Sequence, residues 1–232
     1  MTDDTNAHEV DAIRFAVLQR LAPGLRHRLM GELQSLQFSA ELATRLLDAG
    51  ADTAKLDAAV RQMVPLTRSA IAACSTLIEW LRPDDRTTTT LAEAVPQCLR
   101  IAGDDWSLRG IETASDVRTG DARVGAAALR ELVVTALLVL TDAQPGALDV
   151  SVEAERAGSE IVVQVRAKPG RRVAPLPDLG RVGRLACDDV ERLAAARGIA
   201  CTCARDVVTL RLREQVEAPA PDAPAGAVRR RA

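Results

Sequence analysis

A single histidine lies near the middle of a long stretch with helical periodicity, in "GLRHRLMGELQSL" from Gly24 to Leu36. At 100° per residue, His27 lies about 200° from Leu25 and Leu29, so the pattern predicts that its side chain projects away from the apolar side of the helix. An exposed imidazole that is neutral near pH 7 is a competent nucleophile and needs no tuned base to accept a phosphoryl group. Without further context, a surface histidine on a polar helix face is more simply interpreted as inactive.

The helix face around His27 indicates what such a nucleophile would meet. Arg28 follows directly, and its charge is suited to holding a phosphoryl group. An exposed apolar side chain beside a reactive residue is typical of a docking surface for a partner protein. Phe38 is open to a second interpretation, as a core residue of a helical bundle. The candidate partner-binding residues on or beside this face are Arg20, Met30, Gln34, Phe38, Glu41 and Arg45.

The elements that position His27 are two long helices. Residues 10–48 carry apolar side chains at steps of three and four, which predicts one amphipathic helix. A second helix is predicted to end near residue 82, and its apolar residues follow a coiled-coil heptad. Two helices cannot bury both apolar lines alone, so residues 10–82 predict a hairpin that forms a homodimeric four-helix bundle. The heptad line of the second helix is Leu56, Val60, Met63, Thr67, Ala70, Cys74, Leu77 and Leu81.

The rest of the chain has a different organisation. Residues 1–9, which include His8, are predicted to be a mobile N-terminus, and residues 83–88 a linker. Residues 89–213 alternate helical and strand patterns, which predicts an α/β sandwich with one layer of helices on one mixed sheet. Residues 214–232 are rich in Pro and Ala and are predicted to be disordered. The fold class is therefore α+β, a helical hairpin followed by an α/β sandwich domain.

Composition excludes several classes of protein. The 232 residues are 47% hydrophobic and 27% charged with a net charge of -2, which gives no general attraction to nucleic acid. The N-terminus lacks a signal-peptide pattern and no apolar run is long enough to cross a membrane, so we expect a cytoplasmic protein. Five cysteines without metal-ligand spacing argue against a disulfide framework and against a metal site. Cys201 and Cys203 are interpreted as small buried hydrophobic residues.

The order of these elements resembles the catalytic core of bacterial sensor histidine kinases. That core has a dimerising helical hairpin with a phosphoacceptor histidine, followed by an ATP-binding domain of the GHKL type. The segment "HRLMGELQSL" is similar to the phosphoacceptor box of one kinase class. Gly31 stands where that class has an asparagine. The residues that match the box are His27, Arg28, Leu29, Leu33 and Gln34.

The ATP-binding boxes of that family are matched only in their hydrophobic pattern. Thr135 and Val139 stand where the family has two asparagines that serve nucleotide and Mg²⁺, and a valine offers no oxygen ligand. Ala167 stands where an aspartate reads the adenine amino group. Gly180 and Gly183 are what remains of the glycine-rich phosphate loop. The resemblance therefore implies a degenerate domain that keeps its shape without ATP or another cofactor.

A kinase core with a degenerate ATP domain is similar to the ChpT-type histidine phosphotransferases. This resemblance implies that His27 relays a phosphoryl group between the receiver domains of response regulators, in two-component signalling. Two alternatives stay open at this point. One is a non-catalytic dimeric adaptor that binds receiver domains while His27 is silent, and the other is a divergent sensor histidine kinase.

Overall fold

The computed structural model describes residues 2–81, 85–103, 106, 109–144, 146–170 and 184–215. Two long helices, α1 (Thr2–Asp48) and α2 (Thr53–Leu81), are joined by a short turn into a hairpin. Gly50 follows the end of α1 with φ 62°, a left-handed conformation that favours glycine at a helix end. Asp52 then caps α2 by accepting a hydrogen bond from the backbone nitrogen of Ala54 at 2.5 Å.

The two helices of the hairpin face each other along heptad lines. The residues on these lines are buried or half-buried, because the close approach of α1 and α2 removes them from solvent. Small side chains are frequent among them, which allows the helix axes to come close. The facing residues are Leu29, Glu32, Leu36, Ser39, Ala43 and Leu46 on α1, and Leu56, Ala59, Met63, Leu66, Ala70 and Ala73 on α2.

The apolar surface of α2 is broader than one heptad line. Our sequence interpretation joined its apolar residues into one line, whereas the structure divides them between the line that faces α1 and a second line open to solvent. The side chains of Leu77 and Leu81 lie outside the described part of the chain. The second line carries residues at alternating steps of four and three, all exposed: Val60, Val64, Thr67, Ile71, Cys74 and Ile78.

The first half of α1 has a role that periodicity did not reveal. The helix begins at Thr2 rather than at residue 10, so the segment predicted to be a mobile N-terminus is helical. Glu9 pairs with Arg192 of the second domain at 2.8 Å. The apolar residues of this half lie in the core of the α/β domain: Val10, Ile13, Val17, Leu21 and Leu25.

The second half of the chain is the expected layer of helices on a mixed sheet. The helices are α3 (Leu91–Ala102), α4 (Ala126–Ala143) and α5 (Cys187–Ala196). Five strands form a sheet in the order β2 (Ile111–Val117), β4 (Leu148–Ala157), β5 (Glu160–Pro169), β7 (Val207–Arg213) and β6 (Ala200–Cys203). The β2–β4 pair is parallel and the other pairs are antiparallel. The fold is therefore α+β, as predicted.

The sequence analysis did not predict a second, two-stranded sheet. It pairs β1 (Thr88–Thr90) with β3 (Arg123–Gly125) in antiparallel register. The interpretation of residues 83–88 as a linker overlaps its first strand. Thr90 ends β1 and caps α3, because its side chain accepts a hydrogen bond from the backbone nitrogen of Glu93. Three-residue strands carry too few residues for a period of two to be visible.

The argument against disulfides was wrong for one pair of cysteines. Cys187 and Cys203 form a disulfide, with their Cα atoms 5.4 Å apart. The two residues are 16 positions apart, and only the folding of α5 back over β6 brings them together. Cys201 and Cys203 share one half-buried face of β6, so both are less buried than predicted, and Cys203 is a disulfide partner rather than a free apolar side chain. None of the helices described over these ranges is both long and apolar enough to span a lipid bilayer.

Candidate active site

His27 is exposed on a continuous helix. α1 runs through Pro23 and Gly24 without a break, so the residues on either side of His27 share one helical frame. His27 stands about 150° around α1 from the middle of the line that faces α2, which leaves its imidazole open to solvent. The prediction from helical phase, that this side chain projects away from the apolar side, is confirmed.

The surroundings of His27 are basic. Arg26 precedes it and is exposed, and Arg28 follows it. Arg28 reaches from α1 to the end of α3, where its Nη2 donates a hydrogen bond to the carbonyl oxygen of Arg100 at 2.8 Å. The Arg100 side chain is itself exposed. Arg26 and Arg28 therefore place positive charge directly before and after the candidate nucleophile in the chain, which favours the approach of an anionic phosphoryl group.

Five of the six predicted partner-binding residues form one open stripe on α1, which we call the docking stripe. Phe38 is 69% exposed and Met30 48% exposed, so neither is a core residue of the single chain. Glu41 accepts a hydrogen bond from Gln37 at 2.9 Å, one helical turn away. The structure brings these side chains together on the same side of α1 as His27. The docking stripe consists of Met30, Gln34, Phe38, Glu41 and Arg45.

Arg20, the sixth predicted residue, does not belong to the docking stripe. Its Nη2 donates to Asp142 of α4 at 2.9 Å, and the two side chains are 18% and 2% exposed. A buried pair of this kind fixes one helix against another rather than offering a charge to a partner. Helical phase placed Arg20 on the right side of α1 but could not show that the α/β domain covers that end of the helix.

Gly31 leaves an open space one turn beyond His27. A Cβ atom built at this position would have no neighbour within 4 Å. Packing in the single chain therefore does not require a glycine here, although glycine costs helix stability in such a position. No side chain at position 31 therefore covers the turn of α1 that carries His27.

The three described positions that the sequence resemblance aligns with an ATP site are buried. Thr135, Val139 and Ala167 are 0%, 2% and 0% exposed. Thr135 Oγ1 donates to the carbonyl oxygen of Glu131 at 2.7 Å, and Gln144 Nε2 donates to that of Ala167 at 3.2 Å. These side chains serve the core of the domain, and a nucleotide cannot touch them without displacing it.

Gly180 and Gly183 lie outside the described residues. Within the described ranges, no three His, Cys, Asp or Glu side chains are grouped so as to hold a metal ion.

The sequence analysis missed an ion network that fixes the hairpin to the α/β domain. Glu131 of α4, only 7% exposed, accepts hydrogen bonds from Arg14 of α1 at 2.6 Å and from Arg197 at the end of α5. Arg197 also donates to Asp85. Burial alone would lower the pKa of Arg197, but the hydrogen bonds to Asp85 and Glu131 outweigh it and hold the pKa above its ordinary value. The signal for this network was a lone glutamate in the apolar run "LRELVVTALLVL".

Comparisons with known proteins give a resemblance at low identity. The Acinetobacter baumannii histidine kinase AdeS is 11% identical, with 82% of this chain and 98% of that chain covered and a TM-score of 0.45. The histidine kinase ThkA in complex with the response regulator protein TrrA is 12% identical, with 88% and 63% covered and a TM-score of 0.43. A bacterial phosphotransferase is 14% identical, with 85% and 95% covered and a TM-score of 0.35.

No family model matches this chain. No curated protein matches it either. Similarity at the level of these solved structures assigns no role to any residue of this chain.

Proposed function

We propose that this protein is a histidine phosphotransferase that carries a phosphoryl group on His27 between receiver domains of response regulators. The observation that carries the proposal is an exposed histidine, set on a continuous helix between Arg26 and Arg28, in a chain whose ATP-like positions are filled by its own core. The sequence resemblance of "HRLMGELQSL" to a phosphoacceptor box supports the same role for His27.

The chemistry needs few groups from this chain. The unprotonated imidazole nitrogen of His27 attacks the phosphorus of an aspartyl phosphate on the receiver. A nitrogen–phosphorus bond forms, the bond from phosphorus to the aspartate oxygen breaks, and the aspartate leaves as a carboxylate. The reverse reaction with a second receiver completes the relay. The positive charges of Arg26 and Arg28, which flank His27 in the chain, favour the anionic phosphoryl group during its transfer.

The proposed partner surface is the docking stripe. It presents Phe38 and Met30 as apolar contacts, surrounded by Gln34, Glu41 and Arg45. An exposed aromatic residue with a polar rim is typical of a protein-binding surface. Phe38 lies about 20° from His27 around the helix and three turns along it, so a globular domain seated on the stripe reaches both.

We also propose a homodimer through the hairpin. The open heptad line of α2 lies a quarter turn from the line that faces α1. On α1, Leu33 and Leu47 are exposed a quarter turn or less from the line that faces α2. Because the helices are antiparallel, both sets of residues point to the same side of the hairpin. A second hairpin seated there completes a four-helix bundle and leaves His27, about 120° from Leu33, outside the interface.

Changing two residues of the open line of α2 should give a monomer. Ile71 and Ile78 are each 60% exposed, and Ile71→Glu with Ile78→Glu places two charges where the second hairpin packs. Burying them unpaired should weaken dimerisation by at least about 100-fold. Light scattering at micromolar concentration measures the change. Leu42→Glu is the matched control, since Leu42 lies half a turn from Leu33 and should leave the dimer intact.

Unmodified protein that is monomeric at micromolar concentration would contradict the four-helix proposal. Equal loss of the dimer in the Leu42→Glu variant would show that the interface lies elsewhere on the hairpin.

ATP with Mg²⁺ should not bind measurably. Val139 and Ala167 lack the polar groups that a nucleotide would need, and both side chains are in the core. Each buried partner left unpaired costs about 1–3 kcal/mol, which lowers affinity by roughly one to two orders of magnitude per group. Isothermal titration calorimetry checks this expectation. A micromolar dissociation constant would favour the divergent kinase instead.

The direct test of phosphotransfer uses purified receiver domains that carry a radiolabelled aspartyl phosphate. We expect the label to move from a cognate receiver to this protein within the lifetime of the aspartyl phosphate, without ATP. Binding of receivers without transfer of label is the result expected of an adaptor. Labelling from ATP in the absence of any receiver is the result expected of a kinase.

A further inference from the structure

The disulfide between Cys187 and Cys203 lies at an edge of the α/β domain. Cys187 is the first residue of α5, and Cys203 is the last residue of the edge strand β6. Both residues are half-buried and pack against the margin of the core. A small oxidant or a reductant can therefore reach this pair without unfolding of the domain.

α5 stays on the sheet by contacts that do not involve this bond. Val190, Leu193 and Ala194 are each 0% exposed in the core. Glu191 of α5 accepts a hydrogen bond from the backbone nitrogen of Cys203 at 3.1 Å. Asp189 accepts one from the backbone nitrogen of Ala186 at 2.8 Å, which closes the first turn of the helix. The domain is accordingly able to keep its fold when the two cysteines are reduced.

The three remaining cysteines are poorly suited to the same chemistry. Cys98 is fully buried, and burial raises the pKa of its thiol to about 12. Burial, with a smaller contribution from Glu191, raises the pKa of Cys201 to about 11. Thiols with raised pKa react slowly, because the thiolate is the nucleophile. Cys74 is an exposed thiol, but the sequence places no second cysteine in the hairpin with which it could form a disulfide within the chain.

The bond joins the start of α5 to the end of β6, near the turn that contacts Ala167. Cys203 leads into the turn between β6 and β7, where the carbonyl oxygen of Arg205 accepts from Gln144 at 3.3 Å and that of Asp206 accepts from the backbone nitrogen of Ala167 at 2.9 Å. Cys187 is the point at which the chain enters α5. Forming the bond fixes the start of α5 to the turn that covers Ala167.

We propose that Cys187 and Cys203 are a reversible oxidation site, a peroxide-sensitive pair that locks the start of α5 to the end of β6. One thiolate attacks a peroxide oxygen and becomes a sulfenic acid; the oxygen–oxygen bond breaks, and the other oxygen leaves as hydroxide, which takes up the proton lost from that thiol and becomes water. The second thiol attacks the sulfenic sulfur, the disulfide forms, and a second water leaves. Two thiols are oxidised and one peroxide is reduced. This inference is independent of the proposed phosphotransfer.

The test compares the reduced and the oxidised full chain. The reduced protein should unfold in one cooperative thermal transition, and one equivalent of hydrogen peroxide should raise its midpoint by about 5–10 °C. Peptide mapping by mass spectrometry should find Cys187 linked to Cys203 after oxidation and free after treatment with dithiothreitol. Amide hydrogen exchange should slow roughly tenfold or more at residues 187–191 and 203–207, and stay unchanged in α2.

Matched variants separate this pair from the other cysteines. Cys187→Ser and Cys203→Ser should each abolish the thermal shift, while Cys201→Ser and Cys74→Ser should keep it. A reduced chain without a cooperative transition would overturn the proposal, because the disulfide would then be required for folding. A peroxide product that links Cys201, or an oxidised pair with no thermal shift, would overturn it as well.

Discussion

His27→Ala should abolish transfer of a phosphoryl group from a phosphorylated receiver, a loss of at least ~1000-fold, because the covalent carrier is gone. The substitution should leave dimerisation intact and change the free energy of unfolding by no more than about 0.5 kcal/mol, since the side chain is exposed. His8→Ala is the matched control. His8 is exposed on the same helix but lies far from the docking stripe, so its loss should leave transfer unchanged.

A second variant tests docking of the receiver separately from acceptance of the phosphoryl group by His27. Phe38→Ala keeps the imidazole and removes the largest exposed apolar contact of the docking stripe. We expect it to weaken receiver binding by about tenfold, which corresponds to 1.4 kcal/mol, while transfer at saturating receiver is kept. Equal transfer in the His27→Ala and the unmodified protein would contradict the proposed role of His27.

Glu131→Ala should destabilise the protein by about 3–5 kcal/mol, because it leaves the guanidinium of Arg197 buried with one acid removed and frees Arg14 of α1. Thermal unfolding should shift downward by roughly 10 °C. The control is Glu79→Ala on the same side of the molecule. Glu79 pairs with Arg130 at 2.7 Å but is half exposed, so its loss should cost no more than about 1 kcal/mol.

A small effect of Glu131→Ala would show that the network does not hold α1 against the α/β domain. The apolar contacts of Val17 and Leu21, with the ion pairs Arg20–Asp142 and Glu9–Arg192, would then hold that interface. Measurement of both variants by the same denaturant titration makes the comparison direct, because Glu131 and the partner of Glu79, Arg130, are neighbours on α4.

Periodicity predicted the elements well where one face of each element is buried. The alternation of helices and strands that the pattern of residues 89–213 predicted is present in the structure. Helical phase also placed His27 in solvent. These features are local, since the spacing of apolar residues along one segment decides which side is buried.

Periodicity could not show what covers each apolar face. Leu21 and Leu25 continue the apolar line of α1, but they pack on the α/β domain while Leu36 packs toward α2. Ala70 and Ile71 are neighbours on α2, yet one is 5% and the other 60% exposed. Which side chains are buried in these examples depends on contacts with residues that are distant in the sequence. The apolar pattern along one helix does not identify those residues.

Contacts between distant residues account for the remaining differences. Arg20 was predicted to be a partner-binding residue because of its helical phase, and its contact with Asp142, 122 positions away in the sequence, shows that it lies outside the docking stripe. The Cys187–Cys203 bond was missed for the same reason. Of these residues, only Glu131 gave a signal in the sequence, because a carboxylate in a largely apolar segment of a helix requires a buried partner.

The most direct test of the central claim is to map the modified residue after incubation with a panel of phosphorylated receivers. Phosphorus bonded to a histidine nitrogen is lost in acid and kept in base, so digestion and mass spectrometry under alkaline conditions can locate it. We predict one modified peptide, which carries the phosphoryl group on His27 and is absent from the His27→Ala variant. Modification at another residue, or no modification by any receiver that binds the protein, would contradict the account.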